Sequence, residues 1–226
     1  MKLPELIQNV KSTLYNNRVP NTHLLDNRQI IYWINEQRAL WLKREYNQVR
    51  PPMQNEKQVL ENIELEIVDD EDIIDINNYT LLKSKKKLPR TIQYNISDGV
   101  SYVSGTKMLS KKINYTTKNN MLYKGNGIFN RKQIFAFKDN DYLWIKYGHN
   151  MDKSRILKYV KLQGIFENPL EVDIFNDNDN SIRFGLSEYP VSESFLPFIE
   201  TEILKTHQNF FIKDISSNDE EDKNLR

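Results

Sequence analysis

Three histidines, His23, His149 and His207, are the natural candidates for a general base or a metal ligand. No two stand at the short spacing of a helical metal pair, and cysteine is absent, which excludes thiolate sites and disulfides. His23 reads as a loop residue and His207 as a helix-surface residue. The stretch "KGNGIF" (124–129) has two glycines but lacks the spacing and the Lys-Ser/Thr of a phosphate loop, so it reads as a turn. "DNDNSIRFGLSE" (177–188) opens like a calcium loop with Asp177, Asp179 and Ser181 and ends in Glu188. Its sixth position, however, is Ile182, where such a loop turns on glycine. No nucleophile elbow occurs. The sequence therefore predicts no catalytic residue, no cofactor and no metal.

Charge is more informative. The 32 Lys and Arg nearly balance 31 Asp and Glu, so no global field draws the chain to nucleic acid or a membrane. Yet residues 61–75 hold eight acids and no base, while 83–138 hold thirteen bases against the single acid Asp98. Three readings follow. The two segments pair within one subunit as neighbouring strands. Or the basic segment 83–138 meets nucleic acid. Or acidic and basic faces meet between neighbours in a head-to-tail ring. Composition does not choose among them. No stretch approaches the roughly 20 apolar residues of a membrane span.

The elements that must position these charges follow from periodicity. Residues 3–16 place Leu3, Leu6, Ile7, Val10 and Leu14 near one helical face. Asp26 is a suitable N-cap for a second helix over 28–47. There Ile30, Ile34 and Trp41 share a stripe flanked by Ile31 and Leu42. Trp33 and Leu40 widen it, and Tyr32, Ala39 and Tyr46 lie almost opposite, so only Glu36 and Lys43 plainly face solvent. A helix apolar over most of its circumference is sandwiched between partners. Arg38 and Glu45 fall near the stripe, where an unpaired charge is costly, so each is expected to be paired or at an interface.

After Pro51 and Pro52 the period changes to two. "ENIELEIVD" turns Ile63, Leu65 and Ile67 one way and Glu64 and Glu66 the other, as a strand does. Further strands are expected at 73–82, 91–95, 99–103, 133–138, 142–147 and 155–166, with "DND" (139–141) turning a hairpin. Seven glycines are few for a barrel with many tight turns. From Glu193 helical spacing returns, with Pro197 tolerated in the first turn. The acidic end, 214–226, carries five acids and two bases and has a disordered composition. The expected fold is α+β: a layer of N- and C-terminal helices (1–50 and 190–212), an inserted β-rich domain (51–189) and a flexible acidic tail (213–226).

Five segments in order, "DNRQIIYWINEQRALWLKREYN", "LENIELEIVD", "LLKSKKKLPRTI", "YVKLQGIFENPLEV" and "EYPVSESFLPFIETEILK", make the chain resemble a known family. It is similar to the head–tail connector, or neck ring, proteins of short-tailed, crAss-like bacteriophages. The resemblance implies a structural virion protein of the neck and tail, assembled in the bacterial host cytoplasm. It implies a ring, commonly a dodecamer, docked beneath the portal protein and offering a platform to further tail or neck ring proteins. Packaged DNA would pass through its channel without specific recognition, and no membrane is involved. The runner-up is a nucleic-acid-binding module using 83–138. The interface is expected at Tyr32, Trp33 and Arg38 on the second helix, at Lys85, Lys86 and Lys87, and at Phe210, Phe211, Ile212 and Ile215.

Overall fold

The computed structural model describes residues 1–14, 26–48, 50–51, 53–68, 80–94, 98–107, 111–121, 124, 133–147, 156–176 and 188–206. The chain divides into two compact units, Met1–Glu56 with Arg183–Arg226, and Lys57–Ile182. The fold is mixed α+β, with helices and a seven-stranded closed barrel.

In the first unit, α1 (Leu3–Leu14) buries Leu3, Leu6 and Val10. The longer α2 (Asn27–Asn47) starts at Asp26, whose side chain accepts from the Arg28 N–H, as the capping preference predicts. A 3-10 turn (Glu193–Phe195) leads into α5 (196–206), whose first turn accommodates Pro197. Its Ile199 and Ile203 are buried at helical spacing. Near the N-terminus the chain is tied down by Tyr189, whose N–H donates to the Met1 carbonyl at 3.1 Å.

The second unit closes a barrel in the order β1-β2-β6-β5-β4-β3-β7, with β7 returning to β1. The strands are β1 (Gln58–Ile67), β2 (Thr80–Ser84), β3 (Val100–Gly105), β4 (Lys112–Tyr115), β5 (Phe135–Asp139), β6 (Tyr142–Tyr147) and β7 (Tyr159–Gly164). Alternation fills the interior: Leu143, Ile145 and Tyr147 of β6 point in, beside Leu60, Ile63, Leu65, Ala136, Val160 and Leu162. Outside, Phe135 and Phe137 cluster with Met121 of the single-turn α3 (Lys118–Met121). Val172 of α4 (Pro169–Asn176) packs on the barrel's own core cluster.

Several expectations need correction. The scarcity of glycine argued against a barrel, but the tight bends use other residues. Asn140 and Asp141 adopt φ of 50° and 64° in the two-residue turn between β5 and β6, and short polar side chains tolerate this left-handed region. Strict alternation in β1 also fails once. The register shifts between Leu60 and Ile63, where Asn62 has φ 53°, and this bulge lets both side chains face the core. Ile67 is exposed instead of buried with Ile63 and Leu65. Residues 91–95 make no extended strand among the described residues. Thr91 forms one isolated bridge with Phe166, and the Ile92 N–H donates to the Ile165 carbonyl. The reason is adjacent: Gly99, at φ 70°, brings its backbone in close, and its carbonyl accepts from the Ile165 N–H. β4, which pairs parallel to β5, was not foreseen. Most of the expected strand 73–82 lies outside the described residues, as do residues 15 and 16 of the first helix and the three histidines.

Candidate interaction surfaces

The wide apolar face of α2 has a use inside its own unit. Ile30, Trp33, Ile34, Arg38, Leu42 and Tyr46 are all buried. Trp41, read as part of the central stripe, is only partly buried. It packs on Phe195 with ring centroids 3.8 Å apart and planes tilted by 37°, and has Phe198 at 6.0 Å. Tyr46, read as lying opposite the stripe, is enclosed because the 3-10 turn Gln54–Glu56 folds back on the helix end. Its hydroxyl donates to Glu56 Oε2 at 2.6 Å, an oxygen that also accepts from the Met53 N–H at 2.9 Å. Arg50 extends this polar cluster, 3.8 Å from Glu56 Oε1 and 3.4 Å from Glu45, while its guanidinium lies 4.5 Å from the Phe195 ring centroid.

Arg38 is fully buried, and its Nε donates to the Pro190 carbonyl at 2.8 Å. Burial lowers the guanidinium pKa, while Tyr189, Tyr46 and Glu56 oppose the shift. Tyr189 in turn is raised by burial, against the pull of Arg38, and its hydroxyl donates to Asn35 Oδ1 at 2.7 Å. The expectation that Arg38 and Glu45 find partners therefore holds within the subunit.

The opposite side of α2 keeps large apolar groups in solvent. Tyr32 is 60% exposed and Leu40 57%, with Glu36 and Lys43 between them on the helix surface. On α5, Phe198 is 56% exposed beside Trp41. Lys43 and Arg44 flank Leu40 and Trp41, and among the described residues neither has an ion-pair partner.

The second surface is the outer face of β1, β2 and β6. Antiparallel register sets Glu66 opposite Lys83 and Lys83 opposite Trp144. Lys85 pairs with Glu64 at 2.5 Å, a contact that raises the lysine pKa. The Lys83 ammonium lies 4.1 Å from the Tyr142 ring centroid and 5.3 Å from that of Trp144. Further along the basic segment, Lys118 meets Asp139 at 2.7 Å, and Lys138 and Arg90 meet Asp141 at 3.3 and 4.0 Å. Here β1, the described part of the acid-rich stretch, neighbours β2 at the start of the base-rich one, and Glu64–Lys85 pairs them. The acids of 69–75 lie outside the described residues, and Asp139 and Asp141 belong to neither stretch. Lys86 and Lys87 remain exposed at the end of β2, with no ion pair among the described residues.

Elsewhere, an open polar cleft of about 540 Å³ is lined by Ser101, Lys112, Asn114, Tyr115, Lys124 and Gln133, among others. The Tyr115 hydroxyl is bonded to Asp98, and burial with that bond raises its pKa well above the ordinary phenol range. Among the described residues no group of His, Asp or Glu could hold a metal ion, and no helix is long and apolar enough to cross a membrane.

Of the residues expected at an interface, Tyr32, Lys85, Lys86 and Lys87 are exposed, and Trp33 and Arg38 are buried. Phe210, Phe211, Ile212 and Ile215 lie outside the described residues. Leu40 and Phe198 were missed as surface groups. The signal for Leu40 was present, since it is within a turn of Tyr32, Glu36 and Lys43 on the helical wheel.

No curated protein matches the chain. Residues 5–223, nearly the whole length, match the crAss ring 2 family, described as phage tail ring protein 2. The chain belongs to this family of phage tail ring proteins.

Proposed function

We propose that this tail ring protein is a head-to-tail connector subunit, forming a dodecameric ring that docks beneath the portal and presents a platform to the next tail component. The observation that carries the reading is the pair of solvent-facing apolar groups on α2, Tyr32 and Leu40, with Phe198 on α5. Large exposed side chains of this kind are what buried anchors of an obligate assembly look like in the free subunit. Trp33 and Arg38 serve this surface from beneath, holding the helix that presents it, and Lys86 and Lys87 offer a second, charged contact.

In this reading segments 1–50 and 190–212 act together as the helical contact layer. Residues 51–189 are the inserted β-rich domain, and 213–226 are an acidic tail. The lumen passes packaged DNA without base recognition, with Lys85, Arg90, Lys118 and Lys138 of the basic segment already held by the chain's own carboxylates.

The test is copy number in purified particles by quantitative mass spectrometry, with the portal as internal reference. Equal molar amounts of this chain and portal are expected. Its absence from particles would sink the connector role. A free subunit that binds duplex DNA with affinity falling steeply in salt would favour the nucleic-acid module instead.

A further inference from the structure

We infer that the patch formed by Leu40, Trp41 and Phe198, with Lys43 and Arg44 beside it, receives the C-terminal segment of a neighbouring copy. The inference rests on the ring reading and names the occupant of its contact. Leu40 and Phe198 are more than half exposed, and Trp41 lies between α2 and α5 with Phe198 6.0 Å away. Lys43 and Arg44 follow Leu40 by three and four positions, so they share its side of the helix.

The sequence beyond α5 matches this surface in kind and order. "NFFIKDISSNDEED" supplies Phe210, Phe211, Ile212 and Ile215 for the apolar patch, then Asp219, Glu220, Glu221 and Asp222 for Lys43 and Arg44, which have no ion-pair partner among the described residues. A segment with both anchors and charge can offset the ordering cost of roughly 1–2 kcal/mol per residue, which charge alone would not.

The neighbour is favoured over the same chain by direction. Phe198 stands near the start of α5 and residue 206 at the end of its described part, about 12 Å further along the axis. Returning to its own Phe198 would require the chain to reverse at once. His207, Gln208 and Asn209 are all the chain there is between the described end of α5 and Phe210 to make that reversal. Donation to the next subunit needs no reversal. It is also a heterologous contact, the kind that builds a ring.

Two variants of the full chain test this by sedimentation. One is truncated after Gln208, so that it keeps the patch and lacks the arm. The other carries Leu40→Glu and Phe198→Asp, both at exposed positions, so that it keeps the arm and loses the patch. Each alone should remain monomeric, and an equimolar mixture should give one-to-one dimers and nothing larger. A synthetic peptide of residues 207–226 should bind the truncated chain at least about tenfold more tightly than a truncated chain carrying Leu40→Glu, and more weakly as salt rises. Peptide binding to the truncated chain while the intact full chain stays monomeric at every concentration would mean that the arm folds onto its own subunit, and would overturn the inference. Loss of portal co-sedimentation by the truncated chain, with no peptide binding, would assign the arm to the portal and also overturn it. None of these measurements uses particles, so their failure is separable from failure of the connector role, which copy number reads.

Discussion

Arg38 and Pro190 are joined by a 2.8 Å hydrogen bond from guanidinium Nε to carbonyl oxygen, across 152 residues of sequence. The bond locks α2 to the segment leading into α5 and satisfies a backbone group that has no place in a helix or sheet. Arg38→Ala should cost about 3–5 kcal/mol, combining a lost charged hydrogen bond with a cavity. Arg38→Lys should not rescue it, because an ammonium cannot reproduce the planar fork. Urea denaturation of the three proteins reads the difference, and a loss below about 1 kcal/mol for the alanine variant would show the bond to be incidental.

Gly99 should tolerate no side chain. Its φ is 70°, and a Cβ would stand 2.6 Å from the Ile92 carbonyl oxygen and 3.2 Å from that of Ile165. Both are backbone atoms that cannot swing aside. Gly99→Ala is expected to cost about 2–3 kcal/mol through strain alone. Thermal unfolding of the variant checks it.

A carboxylate near the start of α5 gives a pH test. Glu200 is partly buried, and desolvation raises its pKa. The folded state then holds this proton more tightly than the unfolded chain, so its share of stability declines as pH rises through the window between the two pKa values. Glu200→Gln removes that decline. The difference in Tm, variant minus wild type, should grow as pH is raised from the acid side of the carboxylate range towards neutrality. A constant difference would show that Glu200 titrates as an ordinary surface acid.

The lysines after β2 separate by role. Lys85 is committed to Glu64 within the barrel, whereas Lys86 and Lys87 are not. Reversing Lys86 and Lys87 to Glu should leave the circular dichroism spectrum unchanged and impair assembly with neighbours. Normal assembly would identify them as solvated charges with no contact role.

Much of this was legible in the sequence where one physical signal decides one element. Asp26 capped the helix it was expected to cap, and "DND" turned the hairpin from Phe135–Asp139 into Tyr142–Tyr147. What failed depended on contacts distant in sequence. Nothing local says that Gln58 pairs with Gly164 to close the barrel, or that β4 runs parallel to β5. The glycine count misled because Asn62, Asn140 and Asp141 occupy the left-handed positions. Tyr46 was placed outside because the wheel cannot see Glu56 returning from beyond the helix end. As for the candidate surface, helical spacing could reveal Leu40, but only the packing of Trp41 against Phe195 and Phe198 shows which other groups stand beside it.

Barrel closure also sets a schedule for the nascent chain. β1 is bonded on one side to β2, which follows soon after, and on the other to β7, whose Gly164 pairs with Gln58. At roughly 5–20 residues per second, that second edge stays unmade for several seconds or more while the ribosome works. An open strand bearing Leu60, Ile63 and Leu65 would be a template for pairing with another nascent copy on the same message. Glu61, Glu64 and Glu66 punctuate it, two of them without an ion-pair partner among the described residues of the finished barrel. Like charges along an open strand disfavour its pairing with an identical one, so the same glutamates that sit on the finished surface would also oppose sister-chain pairing until β7 arrives.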